Sequence, residues 1–447
     1  MTTLVTPRAD TRIGFHYFND TLHYREADLQ TWLPEIKALG GSWLTLISPN
    51  DRAIPEAFLR GLLDERIEPV LHFHMPLDHI PDLDSLNLLL SSYANWGVRF
   101  VALYDRPNSR HAWPTASWAQ SDLVERFLDF YLPAAGLIKK VGMVPVFPPL
   151  EPGGDYWDTA FLRAALQGIL RRGQADLAES LVFGAYAWVN ESSMGWGAGG
   201  PERWPQARPY STPPSQEDQR GFYIFDWYLA IAEAILGQPR PVLLLAAGAA
   251  SLNGGLDVHT RTNLAIARLM LENQTTGIVT LPAVSSHVLA CNFWLLSAAA
   301  ASKDAGMAWF QPDGRALPIV PALTRLRNEK DGKLVSQDMT QGMGARLSIK
   351  PITHYILLPR QSDLPDQMLQ NIWPMISEQF PTIGFSLQEA ALAERVTVVG
   401  DEIAIPEDDL ESLRCTGCKV ERLSGDGISI APIEQSTHIT PSEANHE

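Results

Sequence analysis

The sequence predicts an α/β chain: a (β/α)8 barrel followed by a small α/β domain with a short parallel sheet. Short apolar runs alternate from Arg12 onward with amphipathic stretches of helical length, as βα units feeding a parallel sheet do. Eight such units can be counted, the number that closes a barrel. No Gly-x-Gly-x-x-Gly follows an early strand, which argues against an open doubly wound sheet.

The expected strands are Arg12 to Phe18, Ser42 to Ile47, Pro69 to Phe73, Arg99 to Tyr104, Met143 to Phe147, Leu181 to Trp188, Pro241 to Leu245 and Gly277 to Leu281. Between the first two, Leu29, Trp32, Leu33, Ile36 and Leu39 recur three or four residues apart and form one apolar helix face. Gly40 and Gly41 then stop that helix. After strand six a long loop runs from Val189 to about Gly221, rich in Pro and carrying Trp196, Trp204 and Tyr210. Ordered loops of that length are commonly functional. Beyond the barrel, His354 to Pro359, Arg395 to Gly400 and Lys419 to Leu423 are expected strands, with helices over Leu364 to Gln379 and Glu407 to Cys415. The expected organisation is an N-terminal extension (1–11), barrel (12–327), connector (328–350), small α/β domain (351–432) and disordered tail (433–447).

With 35 Lys and Arg against 51 Asp and Glu, the 447-residue chain carries a formal charge of −16. That charge opposes association with nucleic acid and with anionic membrane surfaces. No run reaches the roughly 20 apolar residues of a bilayer span, so no membrane insertion is expected. The start shows no secretory signal, which predicts a cytoplasmic protein, or an extracellular or cell-surface one if the chain is a fragment. Cys291, Cys415 and Cys418 are too few for a disulfide framework, and the lone Cys415/Cys418 pair lacks a second pair to complete a zinc site. No cofactor and no metal are expected.

The fourth strand runs into Asp105-Arg106-Pro107-Asn108, and the seventh reads "LLLAAGAAS" from Leu243 to Ser251. On these stretches the barrel half, roughly Arg12 to Leu326, resembles clan A of the glycoside hydrolases. That resemblance implies an acid/base Glu after strand four, in Asn-Glu-Pro-Asn, and a nucleophilic Glu at the end of strand seven. Here Arg106 and Ala246 stand in those places. Retaining hydrolysis needs two carboxyl groups roughly 5 Å apart, whereas Arg stays protonated up to a pKa above about 12 and a methyl group cannot attack an anomeric carbon. Further on, "RVTVVGDEIAIPEDDLESLRCTGCKVERLSGDG", Arg395 to Gly427, resembles a single cell-wall-binding repeat, which implies a cell-surface partner.

Other carboxylates could serve if the barrel is active: Glu151 after strand five and Glu191 after strand six, drawn together as an inverting pair roughly 6.5 to 9.5 Å apart. His72 and His74 alternate on strand three and face one side, with His16 from strand one. A metal-dependent hydrolase would want further ligands on strands five and six, and those strands carry no His. Flat rings beside hydrogen-bonding groups suit pyranoses. The candidate sugar contacts are therefore His16, His72, His74, Asp105, Arg106, Asn108, Asp155, Trp157, Tyr186, Trp188, Trp196, Trp204 and Trp294. A glycosidase-like barrel that binds carbohydrate without the retaining mechanism ranks first. An active hydrolase using Glu151 and Glu191 ranks second, and a structural or cell-surface assembly module third.

Overall fold

Runs of Val, Leu, Ile and Phe bounded by Gly and polar turns become eight parallel strands, each buried along most of its length. The computed structural model describes residues 11–190, 192–252, 254–272, 281–330, 352–359, 382–391, 393–402 and 404–423. The strands are β1 (Ile13–His16), β2 (Trp43–Ser48), β3 (Glu68–Phe73), β4 (Phe100–Leu103), β5 (Val144–Phe147), β6 (Val182–Val189), β7 (Val242–Ala249) and β8 (Val288–Phe293). They close in sequence order, with Phe15 of β1 paired to Phe293 of β8. The chain divides into two compact units, Met1–Val335 and Ser336–Glu447.

Side chains alternate along each strand, so the barrel has two apolar layers. Trp43, Val70, Phe100, Ala102, Val146, Leu243 and Ala290 belong to one cluster, which fills the interior. Leu44, Leu71, Val101, Phe147, Phe183 and Leu244 belong to the other, between sheet and helices. Trp43 is fully buried and its indole N–H donates to the Thr11 carbonyl at 3.1 Å; emptying such a site costs about 3–5 kcal/mol. Gly14 leaves room on β1 for Asn292 of β8, since a Cβ there would stand 2.1 Å from Asn292 Oδ1. The first helix spans Glu26–Ala38, and Gly40 follows it at φ 72°, a left-handed turn that glycine takes without strain.

The eighth strand corrects the sequence expectation. It is Val288–Phe293, not Gly277 to Leu281. The β-branched run Ile278-Val279-Thr280 has the stronger local strand propensity, whereas Asn292 looks misplaced in a buried strand until its amide is seen donating to the Leu244 carbonyl at 3.1 Å. Residues 273–280 lie outside the described residues.

In the second unit, β9 (Ile352–Leu357), β10 (Thr382–Gly384), β11 (Ala393–Val399) and β12 (Lys419–Leu423) form a parallel sheet of order β10-β9-β11-β12. The Glu407–Cys415 helix lies where the sequence placed it. The three-residue β10 was not anticipated; it is too short to show a period. Cys418 is buried with its thiol toward the Ala390 carbonyl, and Cys415 is exposed. The expected helix over 364–379, most of the connector and the tail over 433–447 lie outside the described residues. Among the described residues, no helix is long and apolar enough to cross a membrane.

Candidate functional site at the barrel mouth

The corner after β4 breaks the strand alternation. Phe100 and Ala102 face the interior, so Tyr104 should as well. Instead Tyr104 takes φ 70° and packs in the outer layer, its hydroxyl donating to the Phe130 carbonyl at 3.3 Å. Asp105 is thereby delivered to the mouth, and Arg106 follows at φ 45°. Two non-glycine residues in the left-handed region cost on the order of 1 kcal/mol each or more. Backbone bonds hold the corner: Tyr104 N–H donates to the Phe73 carbonyl at 2.8 Å and Arg106 N–H to the Pro149 carbonyl at 3.0 Å.

Asp105 is the hub of the mouth. Its Oδ1 accepts the Tyr186 hydroxyl at 2.6 Å and its Oδ2 accepts Arg106 Nε at 2.9 Å. Arg106 also reaches Glu151 Oε2 at 3.4 Å and lies over the Tyr186 ring, 5.6 Å from its centroid. The side chains of Arg106, Asp105 and Glu151 are 47%, 15% and 39% exposed, so the pairs form at a half-open surface where each ion pair contributes little by itself. Burial works against ionising Asp105, but the neighbouring His74, His72 and Arg106 and the Tyr186 hydroxyl outweigh it and hold the carboxyl below its ordinary value. Burial pushes His72 down to about 3, so at neutral pH Arg106 is the standing positive charge. Burial, then Asp105, raises Tyr186, which keeps its hydroxyl a donor.

His72 Nε2–H donates to the Tyr104 carbonyl at 2.8 Å. That bond fixes the tautomer and leaves Nδ1 as an acceptor, which receives His74 Nε2–H at 3.2 Å. The ligand atoms of His72, His74 and Asp105 all lie within 4.8 Å of one another. The sequence sought further ligands on strands five and six; the structure brings the third from the β4 corner. His16 is 2% exposed, and its Nδ1 finds no partner among the described residues. Burial, and then His72 and His74, hold it well below the ordinary imidazole value.

A row of rings crosses the mouth. His16 meets Trp294 edge-on at 4.6 Å, Trp294 meets Trp188 at 6.0 Å, and Trp188 lies 5.9 Å from Tyr186. Trp188 and Trp294 are partly exposed. Ala246 belongs to the same interior cluster as Tyr186, where the β6–β7 register shifts between Ala185 and Tyr186. The seventh strand therefore offers this wall a methyl group.

Several expected sugar contacts have other employment. Asn108 is fully buried: its amide donates to the carbonyls of Glu151 and Tyr156, each at 2.9 Å, and its Oδ1 accepts Glu151 N–H at 2.8 Å. It clasps the β4 and β5 loops, with both amide hydrogens used and no exposed surface. Asp155 accepts Arg110 N–H at 2.8 Å. Trp157 is 8% exposed, under Arg220 and against Tyr210. Trp204 donates to the Ala198 carbonyl at 3.0 Å beneath Arg203. Both rings fasten the long loop, and Trp204 stays partly exposed. Glu191 lies outside the described residues.

Trp196 is the exception in that loop. It is partly exposed and lines a cavity of about 880 Å³ between the β6 and β7 ends, with Asn190, Ser192, Asp218, Arg220 and Thr262. The cavity shares no lining residue with the Asp105 cluster; the two meet at β6, where Val189 follows Trp188. Asp218, 1% exposed, accepts Trp196 Nε1 at 3.1 Å, Thr212 Oγ1 at 2.7 Å and Arg220 Nη2 at 2.6 Å. Asp158 is fully buried and accepts Gly153 N–H at 3.0 Å, Gln219 Nε2 at 2.6 Å and the Tyr228 hydroxyl at 3.2 Å. Burial pushes Asp158 up to about 6. Neither acid was singled out in the sequence, where they read as ordinary loop and helix-start residues.

No protein-family profile matches the chain, and no curated protein matches it. Among solved structures it is similar to a family 39 glycoside hydrolase from Bacteroides cellulosilyticus, at 12% identity and TM-score 0.47 over 72% of this chain and 64% of that one. It is similar also to a GH128 (subgroup II) endo-beta-1,3-glucanase from Sorangium cellulosum, at 16% identity and TM-score 0.38 over 70% of this chain and 96% of that one. A third is xylanase 10B from Thermotoga maritima, at 12% identity and TM-score 0.41 over 73% of this chain and 97% of that one. The closed strand order establishes the barrel without them.

Proposed function

We propose that the barrel binds a carbohydrate at the C-terminal ends of its strands and does so without the retaining mechanism of the glycosidases it resembles. The observation that carries this reading is the row of rings from Trp294 through Trp188 to Tyr186, of which the two tryptophans are partly exposed, bordered by Asp105, Arg106 and Glu151. Such a wall offers a pyranose apolar faces to stack on and charged groups to bond its hydroxyls. Against acid/base work at the β4 corner stands Arg106, a cation with its guanidinium engaged by two carboxylates. Against nucleophilic work on β7 stands Ala246 in the apolar lining.

The test titrates a panel of oligosaccharides against intrinsic fluorescence, with Trp188→Ala and Trp294→Ala as controls. Saturable quenching by one glycan class, lost in both variants, supports the reading; no response across the panel contradicts it. A second reading, an active hydrolase using Glu151 and Glu191, rests on Glu151 standing partly exposed at the mouth. Glu151→Gln and Glu191→Gln test it, since the amide keeps the shape and cannot exchange the proton.

A further inference from the structure

We propose that His72, His74 and Asp105 form a binding site for a divalent transition metal of the zinc class at the floor of the barrel mouth. Their ligand atoms lie within 4.8 Å of one another, on side chains from two adjacent strands. Two nitrogens on one tetrahedral zinc, each about 2.0–2.1 Å from it, stand about 3.3 Å apart. His72 Nδ1 and His74 Nε2 stand 3.2 Å apart.

The surroundings are those of a ligand set. Metal-bound imidazoles usually donate their other N–H to a carbonyl or carboxylate, which fixes ring orientation and tautomer. His72 Nε2–H does this to the Tyr104 carbonyl, next in the chain to the third ligand, Asp105. Asp105 is oriented in turn by Tyr186 and Arg106. The Arg106 charge is met by Asp105 and Glu151 together, so the immediate group is net negative before a cation arrives.

An independent observation points the same way. His16 is buried to 2% exposure and carries an Nδ1 with no partner among the described residues, and the titratable groups that bear on it are His72, His74 and Asp105. Buried polar atoms without a partner call for an explanation, and an ion or its bound water would supply one. Three protein ligands are the number found where zinc keeps a position open, and His74 is exposed, so that position would face the mouth. The metal group and the sugar wall share Asp105, but zinc uptake and glycan binding are measured separately and either can fail alone.

The experiment uses untagged full-length protein stripped with a chelator and dialysed. Calorimetric titration with ZnCl2 is expected to show one equivalent bound with Kd near 1 μM or tighter, and Co2+ is expected to give visible d–d absorption. His74→Ala, at an exposed position that leaves the core untouched, is expected to weaken zinc at least 100-fold with an unchanged thermal melt. Asp105→Asn, which keeps the side-chain shape, is expected to weaken it 10- to 100-fold. Zinc uptake equal in wild type and His74→Ala would be adventitious surface binding and would overturn the proposal, as would no uptake by the wild type.

Discussion

Replacing Asp158 by Asn should make the barrel more stable at neutral pH, not less. Asp158 is fully buried, and burial lifts its carboxyl from an ordinary 3.8 to about 6. Between those values the folded state binds more protons than the unfolded one, so stability falls as pH rises through the window. Two pKa units and a little more correspond to about 3 kcal/mol held against the fold above pH 6. Asn fits the same bonds: its Oδ1 can accept Gly153 N–H and Gln219 Nε2, and its amide can donate to the Tyr228 oxygen. The assay is urea denaturation of wild type and variant from pH 4 to pH 8, followed by tryptophan emission. All thirteen tryptophans but Trp373 lie in Met1–Val335, so the signal reports the barrel. The variant should gain up to about 3 kcal/mol over wild type at pH 8 and nothing at pH 4. A pH-independent difference, or one of opposite slope, would refute the reasoning.

Tyr186→Phe removes the hydroxyl donated to Asp105 and should cost about 1.5–3 kcal/mol at neutral pH by denaturant titration. Because the folded Asp105 carboxyl is held low, its contribution is present above the ordinary carboxylate range and lost as pH falls through the folded value. The variant should therefore lose less than wild type on acidification. Arg106→Glu puts a glutamate at the β4 corner but leaves a buried methyl group, Ala246, on β7, and should show no turnover of aryl glycosides. Trp188→Ala removes the centre of the ring row and should weaken a bound oligosaccharide about tenfold, read by calorimetry.

The barrel was legible because its signals are local: the 3.6-residue period of the first helix and the regular spacing of apolar runs survive without knowledge of contacts. Strand eight was misplaced because the partner of its buried Asn292, the Leu244 carbonyl, lies forty-eight residues away, a contact that no local propensity contains. The same distinction divides the site. His72 and His74 were placed together by strand alternation, and His16 by its position on the first strand. That Asn108, Trp157 and Trp204 hold hydrogen bonds and ring contacts within their loops was not legible, because residue type at a strand end does not reveal which hydrogen bonds are already made. Asp158 and Asp218 stayed hidden because nothing in their neighbours along the chain marks an acid as buried. The corner at Tyr104 was also beyond reach: the sequence shows where the strand stops but not that its backbone turns left-handed there.

The proposal that the barrel binds carbohydrate without the retaining mechanism is tested most directly by prolonged incubation of the protein with aryl glycosides and oligosaccharides, with products read by mass spectrometry. Wild-type protein is expected to bind members of the panel and release no shortened sugar. Release that disappears in Glu151→Gln or Glu191→Gln would contradict the account, and would place a working pair of acids at the barrel mouth.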